Sequence, residues 1–112
     1  TNTTRPGVPP PSPTHHADGF GIMLGGGLAC FDLDNAVEDG RLKSWARDVL
    51  EGNRWPVVFA ETSVSGRGLH VFVEAPERSG RRYSVGDGAV EFYSRGRFIR
   101  TTGHIFDLEE KR

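Results

Sequence analysis

The chain has 112 residues, of which 36% are hydrophobic and 26% are charged, and its net charge at pH 7 is −1. This length and composition predict one globular domain rather than a disordered chain, and the near-zero charge excludes a polycation that coats nucleic acid. No apolar run approaches the roughly 20 residues of a membrane-spanning helix, so we expect no membrane association. The lone cysteine Cys30 allows no internal disulfide, and the amino-terminal residues lack the apolar stretch of a secretory signal. We therefore expect a cytoplasmic protein.

The first 40 residues predict an extended arm followed by a hairpin. Residues 1–18 hold most of the prolines and predict a polyproline-like arm, in which His15 and His16 belong to a polar loop. The folded core is then expected over residues 19–112. Residues 20–24 predict a short strand, residues 25–27 are three glycines typical of a tight turn, and residues 28–32 predict the returning strand of a hairpin.

Residues 40–50 predict an amphipathic helix. Its apolar side chains recur at helical spacing and form one stripe, with Asp39 as the expected amino-terminal cap and Gly52 as the expected stop. The stripe should cover one face of a sheet. It consists of Leu42, Trp45, Ala46, Val49 and Leu50.

The second half of the chain predicts four more strands. They span residues 57–61, 69–74, 89–93 and 97–101, and the short polar turn between the last two predicts an antiparallel hairpin. Residues 78–88 are polar and contain glycine, so we expect a mobile loop there. The fold class expected is α+β, with a largely antiparallel sheet and one clear helix.

The pair Asp32 and Asp34 ends the apolar run of the second predicted strand. Residues i and i+2 of a strand point to the same face, so both carboxylates should leave the sheet together, opposite to Phe31 and Leu33. Neighbouring carboxylates repel each other unless a cation lies between them, and Mg²⁺ or Mn²⁺ prefers such oxygen ligands. The alternative is a strand that ends in a solvated acidic turn.

A serine- and glycine-rich loop and a third acid extend this pattern. Ser63, Ser65 and Arg67 lie in a loop whose backbone N–H groups and side chains can bind an anion, and His70 follows on the next strand, directed away from the core. Glu91 alternates with apolar neighbours, so it can join the two aspartates on one face. Three carboxylates can hold two divalent ions about 3.5–4 Å apart.

The order and spacing of these motifs resemble the archaeo-eukaryotic primase superfamily, and most closely the primase-polymerase (Prim-Pol) domain of phages and plasmids. The resemblance covers residues 20–103. It is carried by Phe31-Asp32-Leu33-Asp34, by the segment from Glu61 to Phe72 with its Ser-x-Ser-Gly-x-Gly-x-His pattern, and by the segment from Val90 to Gly103 with its Glu-x-Tyr and Gly-Arg-Phe patterns.

The resemblance implies an RNA-recognition-like catalytic core and roles for the matching residues. Asp32, Asp34 and Glu91 would be catalytic metal ligands, and His70 would contact the triphosphate of the incoming nucleotide beside the Ser63–Arg67 loop. Arg97 would face the nucleotide or the template. The implied enzyme makes or extends primers on single-stranded DNA from dNTPs or rNTPs with two Mg²⁺ or Mn²⁺ ions. It would act during phage or plasmid replication in a bacterial or phage-infected cell, with a replicative helicase in the same chain or as a separate protein.

Two other functions are compatible with the residues. Clustered carboxylates with a histidine also occur in metal-dependent nucleases, which activate water to cut a phosphodiester. A non-catalytic module that binds nucleic acid or nucleotides could stack bases on Phe72 and Tyr93 and contact phosphates through arginines. The acidic residues disfavour this last function, because they repel phosphate unless a metal ion is present.

Overall fold

The computed structural model describes residues 20–108, so the predicted arm with His15 and His16 lies outside the described residues. Five antiparallel strands form the main sheet in the order β5-β6-β2-β8-β7, and two further pairs, β1-β9 and β3-β4, are also antiparallel. This arrangement confirms the expected α+β class with a largely antiparallel sheet. The elements are β1 Gly21–Met23, β2 Leu28–Asp34, β3 Val37–Glu38, β4 Arg41–Leu42, α1 Ser44–Glu51, β5 Val57–Thr62, β6 Leu69–Glu74, β7 Arg81–Val85, β8 Gly88–Tyr93 and β9 Phe98–Arg100.

The main hydrophobic core lies between helix α1 and the face of the sheet that we call the back face. Strand alternation directs every second residue to this face, and the helix contributes the buried side chains of Ala46 and Leu50. Trp45 and Val49 pack against the same cluster, so four residues of the predicted stripe cover the sheet from the helix. The fifth, Leu42, is buried in the same cluster but belongs to β4, so its place on the helix was predicted wrongly. Most back-face residues of the central strands are fully buried, among them Ala29, Leu33, Leu69, Val71, Val73 and Val90.

The opposite face, the front face, is half covered by the short β1-β9 pair. Ile22, Leu24 and Ile99 pack there on Cys30 and Phe72, and form a second, smaller apolar cluster. The other half of the front face carries polar side chains instead. The polar residues of β2 and β6 therefore lie beside a small apolar platform.

Both predicted hairpins of the sheet are wrong. Residues 25–27 do make the predicted turn, with the Gly25 N–H donating to the Leu28 carbonyl at 3.0 Å. The strands then diverge, because β2 is central in the sheet and is flanked on its two edges by β6 and β8. Strand β1 pairs with β9, so β9 is not the partner of β8 either.

The predicted mobile loop over residues 78–88 is also wrong. Residues Arg81–Val85 form the edge strand β7, which pairs with β8 through a tight turn at Gly86 and Asp87. The sequence did not predict this strand, because its residues are almost all exposed and so show no alternation of apolar and polar side chains.

Helix α1 begins four residues later than predicted. Asp39 is not its cap: Asp39 and Gly40 both have positive φ, 53° and 75°, and form the turn that joins β3 to β4. Two consecutive residues with positive φ are typical of a two-residue hairpin turn, which the Asp-Gly pair favours. The helix instead starts after Lys43 and ends, as predicted, at Gly52. In the described part of the chain, no helix has the length and apolar character needed to cross a membrane.

Candidate active site on the front face

One row of directly paired residues crosses all five strands of the sheet on the front face. Glu61 pairs with His70, His70 with Asp32, Asp32 with Glu91, and Glu91 with Arg82. Directly opposed residues of antiparallel strands place their side chains on the same face, about 5 Å apart. We call these five residues the polar row. The register therefore brings two of the predicted metal ligands and the predicted phosphate-binding histidine together.

Asp32 lies at the centre of the polar row. Its carboxylate is 4.0 Å from Nε2 of His70, and its side chain remains 35% exposed. Burial raises the pKa of Asp32, and the negative charges of Glu91 and Asp34 raise it further, against the opposing effects of His70 and Arg97. Asp34, two residues along the same strand, lies on the same face and is exposed. The two aspartates thus have the shared orientation that their spacing predicted.

Glu91 is directed at cationic and hydroxyl partners. It forms an ion pair with Arg82 and accepts a hydrogen bond from the Tyr93 hydroxyl at 2.8 Å, which raises the pKa of Tyr93. The Arg97 guanidinium lies 3.7 Å from Oε1, the same oxygen that accepts from Tyr93, whereas Arg82 pairs with Oε2. Three neighbours therefore hold the Glu91 carboxylate in place on the strand next to Asp32.

The predicted anion-binding loop uses its hydroxyl groups internally. The Gly68 N–H donates to the Ser63 hydroxyl at 3.0 Å, and the Arg67 N–H donates to the Ser65 hydroxyl at 3.1 Å. The carbonyl of Arg67 accepts hydrogen bonds from the N–H groups of Ala36 and of the residue after it, at 2.8 and 2.9 Å. The loop is thereby fixed next to the end of β2, where Asp34 lies, while the Arg67 side chain stays exposed.

Neither aromatic residue expected to stack bases is free to do so. Phe72 is fully buried in the smaller apolar cluster, where its ring stacks on Phe59 at 4.6 Å between centroids. The ring of Tyr93 is covered by the Arg97 guanidinium, 4.1 Å from its centroid. Phe72 therefore cannot stack on a base, and Arg97 occupies one face of the Tyr93 ring. Cys30 is likewise buried, and burial raises the pKa of its thiol.

The described part of the chain also has a concavity away from the polar row. A cavity of about 550 Å³ opens on the back face, beside β7, and is lined by Trp55, Arg81 and Tyr83 among others. It contains none of the residues of the polar row. We place the candidate chemistry on the front face, because carboxylates and a histidine converge there.

Asp32 and Glu91 of the polar row, together with Asp34 beside them, can be tested for their fit to divalent ions. Asp32 and Asp34 supply hard oxygen donors side by side, and their mutual repulsion is what a cation would relieve. Among residues 20–108, no three His, Cys, Asp or Glu side chains are already arranged around an ion position. Glu91 is engaged by Arg82 instead, but the Arg82 side chain is 65% exposed and can move into solvent at little cost. The donor set therefore fits, with Glu91 joining once Arg82 releases it.

Sequence reasoning missed Glu61 and Arg82. Glu61 ends the apolar run of β5 in the way that Asp32 ends that of β2, and this parallel could have singled it out. Its side chain is 1% exposed and it lies 3.2 Å from Nδ1 of His70. Arg82 could not be assigned a face, because its strand was not predicted.

Comparison with known proteins identifies the family. The family described as "Bifunctional DNA primase/polymerase, N-terminal" (Prim-Pol) matches residues 5–108. A protein of Nitratiruptor phage NrS-1 named "DNA Primase-polymerase" is 35% identical over 98 residues, which cover 81% of this chain and 13% of that protein. The chain thus spans a small part of that relative's length. It belongs to the Prim-Pol family, which confirms the resemblance carried by its three motifs.

Proposed function

We propose that this chain is a catalytic primase-polymerase module, a nucleotidyltransferase that synthesises or extends primers on single-stranded DNA during phage or plasmid replication. The observation that carries the proposal is the register of the polar row: in a Prim-Pol chain, Asp32 lies directly opposite both Glu91 and His70, with Asp34 two residues away on the same face. Such an enzyme would work inside a bacterial or phage-infected cell, where its nucleotide substrates are made.

The metal ions of this mechanism would be held by Asp32, Asp34 and Glu91. When bound, Mg²⁺ or Mn²⁺, as two ions, supplies charge neutralisation for the triphosphate and favours the deprotonated form of the attacking hydroxyl. The protein residues position the reactants around that chemistry. The bulk of β1-β9 on the neighbouring half of the front face bounds the site on one side.

The incoming dNTP or rNTP would lie between His70 and the loop that contains Ser63, Ser65 and Arg67. His70 presents a ring nitrogen to the centre of the row, and the exposed Arg67 side chain can contact phosphate. Arg97, held above Tyr93, can turn towards the nucleotide or the template strand. The helicase that such a primase serves would be a further part of a longer chain or a separate protein.

The test is primer synthesis by the Asp32→Asn/Asp34→Asn double variant, which keeps the side-chain shapes and removes the charges. We expect a loss of about a thousandfold or more in rate with Mg²⁺ or Mn²⁺, because removal of a charge that stabilises the transition state costs several kcal/mol. Asp48→Asn, an exposed residue of α1 on the opposite face, is the matched control and should retain full activity.

The same assay separates this function from a nuclease. Labelled DNA is incubated with Mn²⁺ in the presence and absence of nucleotides. A polymerase lengthens the DNA only when nucleotides are present, whereas a nuclease shortens it without them. Equal primer synthesis by the double variant and the wild type would remove the assignment, and metal-dependent shortening would replace it with the nuclease.

A further inference from the structure

Glu61 is an acidic residue in a place where an acid is costly. Its side chain is 1% exposed, and among residues 20–108 only Ser94 is a comparably buried polar side chain. Transfer of an ionised carboxylate out of water is strongly unfavourable unless hydrogen bonds and an opposite charge compensate it. An apolar residue would fill this buried position at a lower cost in free energy. The presence of an acid therefore indicates a specific role for Glu61.

Three donor groups make four hydrogen-bond contacts with the Glu61 carboxylate. The N–H groups of Thr102 and Gly103 both donate to Oε1, at 3.2 and 3.1 Å, and the Thr102 N–H also lies 3.1 Å from Oε2. The remaining partner of Oε2 is Nδ1 of His70, at 3.2 Å. The backbone of residues 102–103 thus fixes the carboxylate on one side and directs Oε2 at the imidazole on the other.

This contact determines how the His70 ring is presented. A carboxylate can only accept a hydrogen bond, so Nδ1 must carry the hydrogen that it donates to Glu61. The other nitrogen, Nε2, then faces the centre of the polar row, 4.0 Å from Asp32. The ring is also held edge-on against Phe72, with centroids 6.5 Å apart, so packing and hydrogen bonding select the same orientation.

We propose that Glu61 is a positioning residue: it accepts the hydrogen on Nδ1 of His70 and so fixes the ring with Nε2 directed at the centre of the polar row, where the bound nucleotide would lie. This proposal rests on the function proposed above for the role of Nε2, but the Glu61–His70 contact itself can be tested without it. The turn at residues 102–103 becomes part of the site by the same reasoning, since it sets where Oε2 lies.

The informative variant is Glu61→Gln, which has nearly the same shape. Both backbone N–H groups need an acceptor and both contact Oε1, so the amide oxygen should stay there and the NH₂ group should face His70. Nδ1 must then accept a hydrogen bond, and the hydrogen of a neutral ring moves to Nε2. Glu74→Gln is the matched control, because it makes the same charge change at the exposed end of the strand that carries His70.

The primary measurement is the ¹⁵N spectrum of the histidine rings, with His70 assigned by comparison with His70→Ala. We expect Nδ1 of His70 to carry a hydrogen in the wild type and in Glu74→Gln, and to lose it in Glu61→Gln. The proposal is overturned if Nδ1 of His70 carries no hydrogen in the wild type. This measurement is made on the wild type alone, so it does not depend on whether a Glu61 variant folds. The position of the hydrogen on the His70 ring can be measured whether or not the wild type synthesises primers. The positioning role of Glu61 and the primase function are therefore tested independently.

The second measurement is nucleotide kinetics. Glu61→Ala, which leaves the His70 ring without the acceptor that fixes its orientation, should raise KM for the nucleotide about tenfold while affinity for the primer–template stays unchanged, and Glu74→Ala should change neither. In the His70→Ala background, Glu61→Ala should raise KM no further, because Glu61 acts through the ring. A full additional loss in that background would show that Glu61 acts by another route and would overturn the proposal.

Discussion

At the scale of single residues, Asp32 lies in surroundings that raise the pKa of its carboxyl group and thereby lower the stability of the folded state. Burial and the charges of Glu91 and Asp34 raise its pKa, and the opposing effects of His70 and Arg97 do not cancel them. A carboxyl group with a raised pKa in the folded state makes that state bind protons more readily than the unfolded chain. Above the ordinary aspartate range, ionised Asp32 therefore lowers the free energy of unfolding.

Asp32→Asn should consequently stabilise the protein while it abolishes activity. We expect a gain of about 0.5 kcal/mol at pH 7, or roughly 2–4 °C in melting temperature, a small value because part of the side chain faces water. The gain should vanish as the pH falls below the ordinary pKa of aspartate, where Asp32 is protonated in both states. Melting curves at pH 3 and pH 7 in EDTA measure it. A variant less stable than the wild type at pH 7 would contradict this assignment of the pKa shift.

The same scale shows what residue patterns could predict at the site. The spacing of Asp32 and Asp34 and the alternation around His70 and Glu91 fix which face each side chain takes, and the structure places all four on one face. Alternation gives no register between strands, so it could not reveal that Asp32, Glu91 and His70 are direct neighbours. Nor could it show that Glu61 is buried behind the histidine.

At the scale of elements, local signals predicted most strands but not their partners. Glycine-rich turns indicate where the chain reverses, whereas pairing depends on which strand occupies each edge of the sheet. Strand β9 pairs with β1, almost 80 residues away in the sequence, and no local turn encodes that contact. Strand β7 is set against the helix by Asp87, which accepts hydrogen bonds from Lys43 and Trp45, both at 2.9 Å.

Gly88, the first residue of β8, is required by a close approach of backbones. A Cβ atom added there would lie 2.1 Å from the Asp34 carbonyl oxygen and 2.5 Å from the Trp45 ring. Gly88→Ala should therefore push β8 away from β2 beside the aspartates and lower the free energy of unfolding by about 1–3 kcal/mol, as overpacking does. Urea unfolding measures the change. Gly52→Ala is the control, since a Cβ there meets only ordinary contacts, and an equal effect of the two substitutions would refute the steric argument.

At the scale of the whole molecule, charge is unevenly distributed in a chain whose net charge is only −1. The segments around Arg78 and Arg95 are held together by the buried Ser94, whose hydroxyl accepts from the Arg78 N–H at 2.7 Å and donates to the Arg78 carbonyl at 2.9 Å. Arg82 and Arg97 lie next to them on the front face, near Glu91. The arginine-rich side of the polar row is therefore the side on which a phosphate backbone would be favoured.

This asymmetry predicts a local, salt-dependent affinity for single-stranded DNA. If three or four arginines contact phosphates, each contributes about −0.7 to the slope of log K against log salt, and affinity should fall about 20- to 50-fold between 50 and 200 mM salt. Fluorescence anisotropy with a labelled oligonucleotide measures the slope. Arg95→Ala should make it shallower by about 0.7, whereas Arg41→Ala, in the β3-β4 pair, should leave it unchanged. A slope near zero, or equal changes in the two variants, would mean that the DNA does not lie along this side, since the two substitutions can differ only if Arg95 contacts a phosphate and releases its counterions.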